Sequence, residues 1–326
     1  MTGPEHYLAA CAIFRDEAPF LTEWIEFHRL IGVQHFFLYD NGSEDHPERV
    51  LAPFVDEGRV TLQSWPIPFH LRASHKAYAD CLERALGRAR WLAFLDLDEF
   101  LFSPRAYRLD PVLREFESFP GVVARWQVYG SSGELHASRE PVISRFNRRA
   151  PTEWIRNRSV KSIVDPSRAL RPLGVHHFVY RDGELAVTES REPVRVRERP
   201  RLKKNLRPLY RLLGPAVRYV DPYVRNRFSS RTMSVDLLRI NHYPVKSREE
   251  FLRKARFKRE KRRYDGIDYF AYHDRNDVFD PILHRYLPAL RERGVGVLGP
   301  AGCSAPPSIG GREGPRTIES PFGLPS

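Results

Sequence analysis

The sequence predicts an α/β fold, a Rossmann-like mixed sheet flanked by helices with a basic helical region toward the C-terminus. Three observations carry that expectation: apolar runs alternate with helix-period segments up to residue 95, each run stops at acids and turn formers, and shorter strand-like pieces follow after residue 120. Tyr7-Leu8-Ala9-Ala10-Cys11-Ala12-Ile13-Phe14 is an apolar run bounded by polar residues, the pattern of a strand covered on both faces in a parallel sheet. Residues 19–31 then place Phe20, Trp24, Phe27 and Leu30 or Ile31 at three- and four-residue steps. With Pro19 in the first turn, this spacing predicts a helix that Gly32 stops. His35-Phe36-Phe37-Leu38-Tyr39 reads as a second strand, halted by the turn cluster Asp40-Asn41-Gly42-Ser43. Residues 48–55 are helical in period, Val60-Thr61-Leu62-Gln63 is a third strand, 74–88 a helix ending near Gly87, and Trp91-Leu92-Ala93-Phe94-Leu95 a fourth strand.

The later texture differs. Val122-Val123-Ala124-Arg125-Trp126 and Val142-Ile143-Ser144-Arg145-Phe146 read as strands on either side of a polar loop, Gly130-Ser131-Ser132-Gly133. Lys161-Ser162-Ile163-Val164 and Gly174-Val175-His176-His177-Phe178-Val179 continue the strand pattern. Residues 182–235, poor in periodicity and rich in Arg and Pro, read as an insertion. Ile240-Asn241-His242-Tyr243 is a last strand, and Ser247-Arg248-Glu249-Glu250 has the capping-box spacing that opens a helix running to about 263. The expected layout is therefore one α/β domain over 1–265, a helical extension over 266–297, and a disordered Gly-, Pro- and Ser-rich tail over 298–326.

The net charge of +12, with a pI near 9.8, calls for an anionic partner: nucleic acid, anionic lipid or a phosphorylated substrate. Arg and Lys crowd 191–231 and 246–263, whereas the first 120 residues carry many acids, which separates a catalytic half from a basic surface. The three cysteines, Cys11, Cys81 and Cys303, are too few and too widely spaced for a disulfide framework or a zinc site. No apolar stretch is long enough to span a bilayer and no secretory leader is evident, so a cytoplasmic protein is expected. The run Arg253-Lys254-Ala255-Arg256-Phe257-Lys258-Arg259-Glu260-Lys261-Arg262-Arg263 reads as a solvated helix face, with peripheral contact to an anionic membrane surface as its functional alternative.

In a doubly wound sheet, ligands bind beyond the carboxyl ends of the strands. Three polar clusters sit there: Arg15-Asp16-Glu17, Asp40-Asn41 and Asp96-Leu97-Asp98-Glu99. Asp96 and Asp98 flank a single residue, and the period of two points both carboxylates the same way while the strand persists. Two such acids repel unless a cation intervenes, and Mg2+ or Mn2+, with hard oxygen ligands, can bridge them to a diphosphate. A polar strand end with acidic turn residues is the plainer alternative. Trp126, Tyr129, Trp65 and Trp154 can stack on a sugar or a base, or simply pack.

Taken in order, Arg15-Asp16-Glu17, Glu23-Trp24-Ile25-Glu26-Phe27-His28, Gly32-Val33, Tyr39-Asp40-Asn41, Leu95-Asp96-Leu97-Asp98-Glu99-Phe100, Gly130-Ser131-Ser132-Gly133, Lys161-Ser162-Ile163 and Asn241-His242-Tyr243 resemble glycosyltransferase family 92, whose bacterial members are often labelled family-2-like. The resemblance spans residues 7–260. It implies a GT-A fold, an inverting sugar transfer from a UDP-sugar-like donor to a glycan or lipid-linked acceptor, and a Mn2+ or Mg2+ cofactor. It further implies Asp98 as the direct metal ligand, Asp96 near the metal or ribose, and Arg15, Asp16, Asp40 and Asn41 at the nucleotide. His242 would complete the metal site or serve as an ordinary hydrogen-bonding residue. Lys246 would reach a phosphate or remain solvated. Inversion needs a base on the face opposite the leaving group, for which Glu134, after the Gly-rich loop, is the first candidate, ahead of Asp165 and Glu153. A nucleic-acid-binding protein accounts for the charge but has no recognisable binding motif and leaves the acidic clusters unexplained, so no nucleic acid is expected. A metal-dependent nucleotidyltransferase would use the same two aspartates.

Overall fold

The computed structural model describes residues 3–196, 234–258 and 269–296. The expected tail, most of the expected insertion and the far end of the basic helix lie outside them. The first four strands, β1 (His6–Phe14), β2 (His35–Asp40), β3 (Val60–Ser64) and β4 (Ala89–Phe94), alternate with helices α1 (Ala18–Leu30), α2 (Pro47–Asp56) and α3 (Ala73–Ala85), as the periodicity predicts. The later strands are short: β5 (Glu99–Phe102), β6 (Gly121–Val128), β7 (Arg148–Arg149), β8 (Val160–Val164), β9 (Ala169–Leu173), β10 (His177–Tyr180), β11 (Val187–Thr188), β12 (Arg239–His242) and β13 (Val278–Phe279).

The main sheet runs β3-β2-β1-β4-β8-β6-β12-β5. Its first four strands are parallel. β8 enters antiparallel between β4 and β6, and β12 lies parallel to β6 and antiparallel to β5, so the sheet is mixed as expected. β11, at the start of the expected insertion, pairs with the first half of β6. The alternation of side chains along a strand divides two cores between the faces. On β1, Leu8, Ala10 and Ala12 pack with Trp24, Phe27 and Leu51 of α1 and α2, while Ala9 and Cys11 pack with Ala77, Tyr78 and Cys81 of α3. Full burial of a side chain such as Phe27 contributes roughly 1.5–3 kcal/mol. Trp24 also ties α1 to the sheet, its indole N–H donating to the Glu99 carbonyl at 2.9 Å.

One local expectation is corrected. Residues 142–146, read as a strand, form instead a one-turn helix, Val142–Arg145. The buried carboxylate of Glu23, on α1, accepts the amides of Val142 at 2.7 Å and Ile143 at 3.1 Å, satisfying donors that a helix start leaves open. The loop 130–133 brings its backbone close to the chain's own later segment. Ser131 N–H donates to Asp274 at 2.6 Å and Ser132 N–H to Asn276 at 2.8 Å. That segment belongs to the region expected as a helical extension, which here combines the helices Tyr269–His273 and Leu287–Glu292 with β13. It joins the same body: β13 pairs with β7, Tyr286 packs edge-on against Phe27, and Arg293 bonds Glu26 at 2.7 Å.

A Cβ on Gly130 would lie 2.5 Å from Asn276 Oδ1 and 2.7 Å from the Arg275 carbonyl. Gly130→Ala is therefore expected to destabilise the fold by about 1–3 kcal/mol in denaturant titration, because backbone must yield. Burial pushes the Glu23 carboxyl up to about 7, against the pull of the amides it accepts. The folded chain then keeps a proton that the unfolded chain loses near pH 4.5, so this stability is present below pH 4.5 and is lost as pH rises toward 7. The loss is roughly 3 kcal/mol at most, and Glu23→Gln should flatten the pH slope of thermal unfolding across that window.

Candidate active site

The carboxyl ends of β1, β2 and β4 lie side by side, and the ladder runs on past them: Asn41 N–H bonds the Phe14 carbonyl and Leu95 N–H the Cys11 carbonyl. β4 ends at Phe94, and residues 95–98 then carry the chain across to the end of β12, where Glu99 of β5 pairs with His242. The strand that was to keep Asp96 and Asp98 in one direction has thus stopped before either residue. Their side chains part, each to its own lysine. Asp96, 43% exposed, pairs with Lys161 at 2.9 Å, and Asp98, buried, pairs with Lys254 at 2.9 Å. The mutual repulsion that called for a cation is relieved by two ammonium groups from distant parts of the chain.

Lys161 comes from β8 and is completely buried; it also lies 3.5 Å from Glu99, whose Oε2 accepts the Asp96 amide. Lys254 comes from the helix Arg248–Lys258 and bridges Asp98 to Glu17, at 2.5 Å from the latter. Glu17 in turn lies 3.5 Å from Lys246, whose ammonium sits 3.7 Å above the Phe20 ring. Lys246 is buried, so its place is neither at the open surface nor in solvent. Burial pushes the Asp98 carboxyl up, but Lys254, His242 and Lys246 outweigh it and hold the group well below the usual carboxylate range. For Glu99 burial wins over Lys161, and its carboxyl lies well above that range. Burial works against the Lys254 charge, yet Asp98 and Glu17 keep its ammonium more basic than an ordinary lysine.

His242 completes the centre. Its Nε2 lies 3.5 Å from Asp98 Oδ1, its ring packs 4.2 Å from that of Trp126, and burial holds the imidazole below its ordinary pKa in spite of Asp98. A neutral ring is the form that ligates metals. His242 Nδ1 and Trp126 Nε1 are buried without a hydrogen-bond partner among the described residues. Asp98, Glu99 and His242 place ligand atoms within 4.8 Å of one another. The Asp98–His242 separation is long for a hydrogen bond and near the ~3 Å that separates adjacent ligands of an octahedral cation. This donor set, hard oxygen with imidazole, fits Mn2+ or Mg2+. Asp96, turned to Lys161, is outside the trio.

The other expected residues are placed differently. Asp16 accepts the Glu44 amide at 2.7 Å, Asp40 accepts both the amide and the hydroxyl of Ser43, and Asn41 donates to the carbonyls of Trp65 and Ile67, each at 2.7 Å. All three tie strand-end loops together. Arg15 is half exposed, 3.4 Å from Asp16 and 3.9 Å from Glu44. Glu134 is exposed; its carbonyl accepts the Arg248 amide at the head of the helix that carries Lys254. Asp165 is committed to Arg90 and Ser167, and Glu153 is exposed. Sequence reasoning gave no individual role to Glu17, Glu99 and Lys161, named only within longer segments, or to Lys254, read as part of a solvated face. A lone lysine in the apolar strand Val160-Lys161-Ser162-Ile163-Val164 was a legible signal of a buried pair. Lys254, one of many cations in its run, gave none.

The sequence model of glycosyltransferase family 92 matches residues 6–198. A glycosyltransferase family 92 protein of Oryza sativa subsp. japonica is 35% identical over 188 residues, covering 55% of this chain and 30% of that protein. A galactan beta-1,4-galactosyltransferase of Arabidopsis thaliana is 30% identical over 106 residues, covering 30% of this chain and 20% of that protein. The chain thus spans less than a third of the length of either plant relative. Among solved structures, S. aureus TarS 1–349 in complex with UDP overlaps 49% of this chain and 47% of that one, at 11% identity and a TM-score of 0.32, a partial likeness. With the match reaching from residue 6 to residue 198 of 326, the chain belongs to glycosyltransferase family 92.

Proposed function

We propose that this chain transfers a hexose, with inversion, from a UDP-sugar donor to a glycan or lipid-linked acceptor, and that Asp98 and His242 hold the Mn2+ or Mg2+ ion of the reaction. The observation that carries this reading is the Asp98–His242 pair, buried where the chain crosses the strand ends, with His242 Nε2 at ligand separation from Asp98 Oδ1. Bound there, the ion supplies positive charge that stabilises the departing diphosphate. The chain's own part is to hold Asp98 ionised, His242 neutral, and the ammonium group of Lys254 where phosphate oxygens can meet it, with buried Lys246 adding positive charge behind it. Asp96, exposed and fixed by Lys161, is set to accept hydrogen bonds from donor hydroxyls.

The base of the reaction is assigned to Glu134. Its loop is pinned by Asp274 and Asn276 on one side and by the Arg248 amide on the other, so the carboxylate is carried on a fixed support. The plant galactan galactosyltransferases support a hexose donor and a polysaccharide acceptor. None of the described helices is long and apolar enough to cross a membrane. A cytoplasmic location, with the basic helix Arg248–Lys258 meeting an anionic membrane face, completes the proposal.

Asp98→Asn and His242→Gln should each weaken Mn2+-dependent UDP binding by about ten- to a hundredfold in calorimetry while thermal unfolding stays cooperative. Unchanged affinity in both variants would remove the assigned metal site. Glu134→Gln should lower turnover by about 10²–10⁴ and leave UDP affinity within a factor of a few. Equal turnover in the variant rules Glu134 out as the base.

A further inference from the structure

Asp96, Asp98 and Glu17 are matched one for one by the ammonium groups of Lys161, Lys254 and Lys246, at 2.9, 2.9 and 3.5 Å. Lys254 differs from the other two. Like Lys161, which faces Asp96 and Glu99, it meets two carboxylates, Glu17 and Asp98, but one of its pair is the residue assigned to the metal. At 27% exposed it is also far more open than Lys161 or Lys246. A divalent ion arriving alone at Asp98 would meet an ammonium already bound to that carboxylate, and like charges at such range oppose each other strongly. A metal ion arriving with a nucleoside diphosphate brings the anion that Lys254 can take in exchange. The long flexible stem of lysine allows its head to turn, and Glu17 keeps it anchored meanwhile.

We propose that Lys254 is a resident counter-ion that holds Asp98 until a nucleoside diphosphate arrives, so that metal and nucleotide bind this chain together and neither binds well alone. This rests on the assignment of Asp98 to the metal and adds the identity of the group that couples the two ligands. Lys254 leaves Asp98 for the diphosphate, Asp98 becomes free to ligate, and the metal–diphosphate unit enters a site of balanced charge. Because coupling between two ligands is reciprocal, the same factor must show in both affinities.

The test is Mn2+ binding to the full chain followed by electron paramagnetic resonance, with and without UDP, alongside UDP calorimetry with and without Mn2+. In the wild-type chain, UDP should tighten Mn2+ binding by about tenfold or more, with the reciprocal gain in UDP affinity. Lys254→Gln should bind Mn2+ alone about tenfold more tightly than wild type and lose most of the coupling, whereas Lys254→Arg should retain it. Wild-type protein that binds Mn2+ equally well with and without UDP overturns the inference, whatever the variants do. So does a Lys254→Gln variant whose two affinities fall in parallel with coupling intact, the outcome of a purely structural lysine. Wild-type protein that binds no UDP in the presence of Mn2+ overturns the functional reading as well. UDP binding with unaltered coupling in Lys254→Gln overturns the inference alone.

Discussion

A carboxylate removed from water must find positive charge or hydrogen bonds within a few ångströms, because its uncompensated burial costs several kcal/mol. Asp98 imposes that demand on this fold, and much of the later chain answers it. The groups that compensate it come from three places: His242 from the end of β12, Lys246 from the turn that follows, and Lys254 from the helix after that. None of these lies near residue 98 in sequence, and each is brought in by an independent element. The Tyr243 amide bonds the Asp98 carbonyl at 2.8 Å, so the backbone that carries the acid is fastened to the strand that carries its imidazole neighbour. Chemistry at this point is thereby coupled to the register of β5 on β12, where Glu99 faces His242.

The two lysines of the acidic motif compensate their partners in different ways. Lys161 is locked inside the sheet, facing Asp96 and Glu99, and its removal would leave the partly exposed Asp96 and the buried Glu99 without a counter-charge. Lys254 reaches in from a surface helix along its apolar stem, in the manner of side chains that keep a charged head where it is needed. One is a fixed part of the sheet and the other is held by its contacts alone. An electrostatic site that must receive a highly charged ligand benefits from that division, because preorganised groups set the field while a movable one lets the ligand in.

The parallel strands were legible because their apolar runs are covered on both faces, and the meeting of Glu17 and Asp98 at Lys254 lies where two of those runs stop. The family resemblance rested on short segments that lie, for the most part, at those stops. Residues 142–146 were misread because their helix is imposed by Glu23, 119 positions away, and local pattern cannot show a distant cap. The divergence of Asp96 and Asp98 was hidden for a related reason: the period of two holds only within a strand, and the strand ends at Phe94. The Gly-rich loop shows the difference between a residue's capacity and its use. Glycine permits close approach, and only the fold reveals that Arg275 and Asn276 are what approaches Gly130. Lys254 stood in a charged run whose average character is that of a solvated face, and one inward member of such a run leaves no trace in composition.

The placing of Asp274 and Asn276 on the loop at 131–132, with His242 and Lys254 also late in the chain, has a consequence for how the molecule is made. Synthesis delivers the parallel strands and Asp98 first, and the partners of that acid emerge from the ribosome only after 140 residues or more. Until then the nascent protein carries Asp98 without the imidazole and ammonium groups that later enclose it. Contacts of such wide sequence separation close slowly, so the maturing chain acquires its parallel scaffold well before the charged cluster around Asp98.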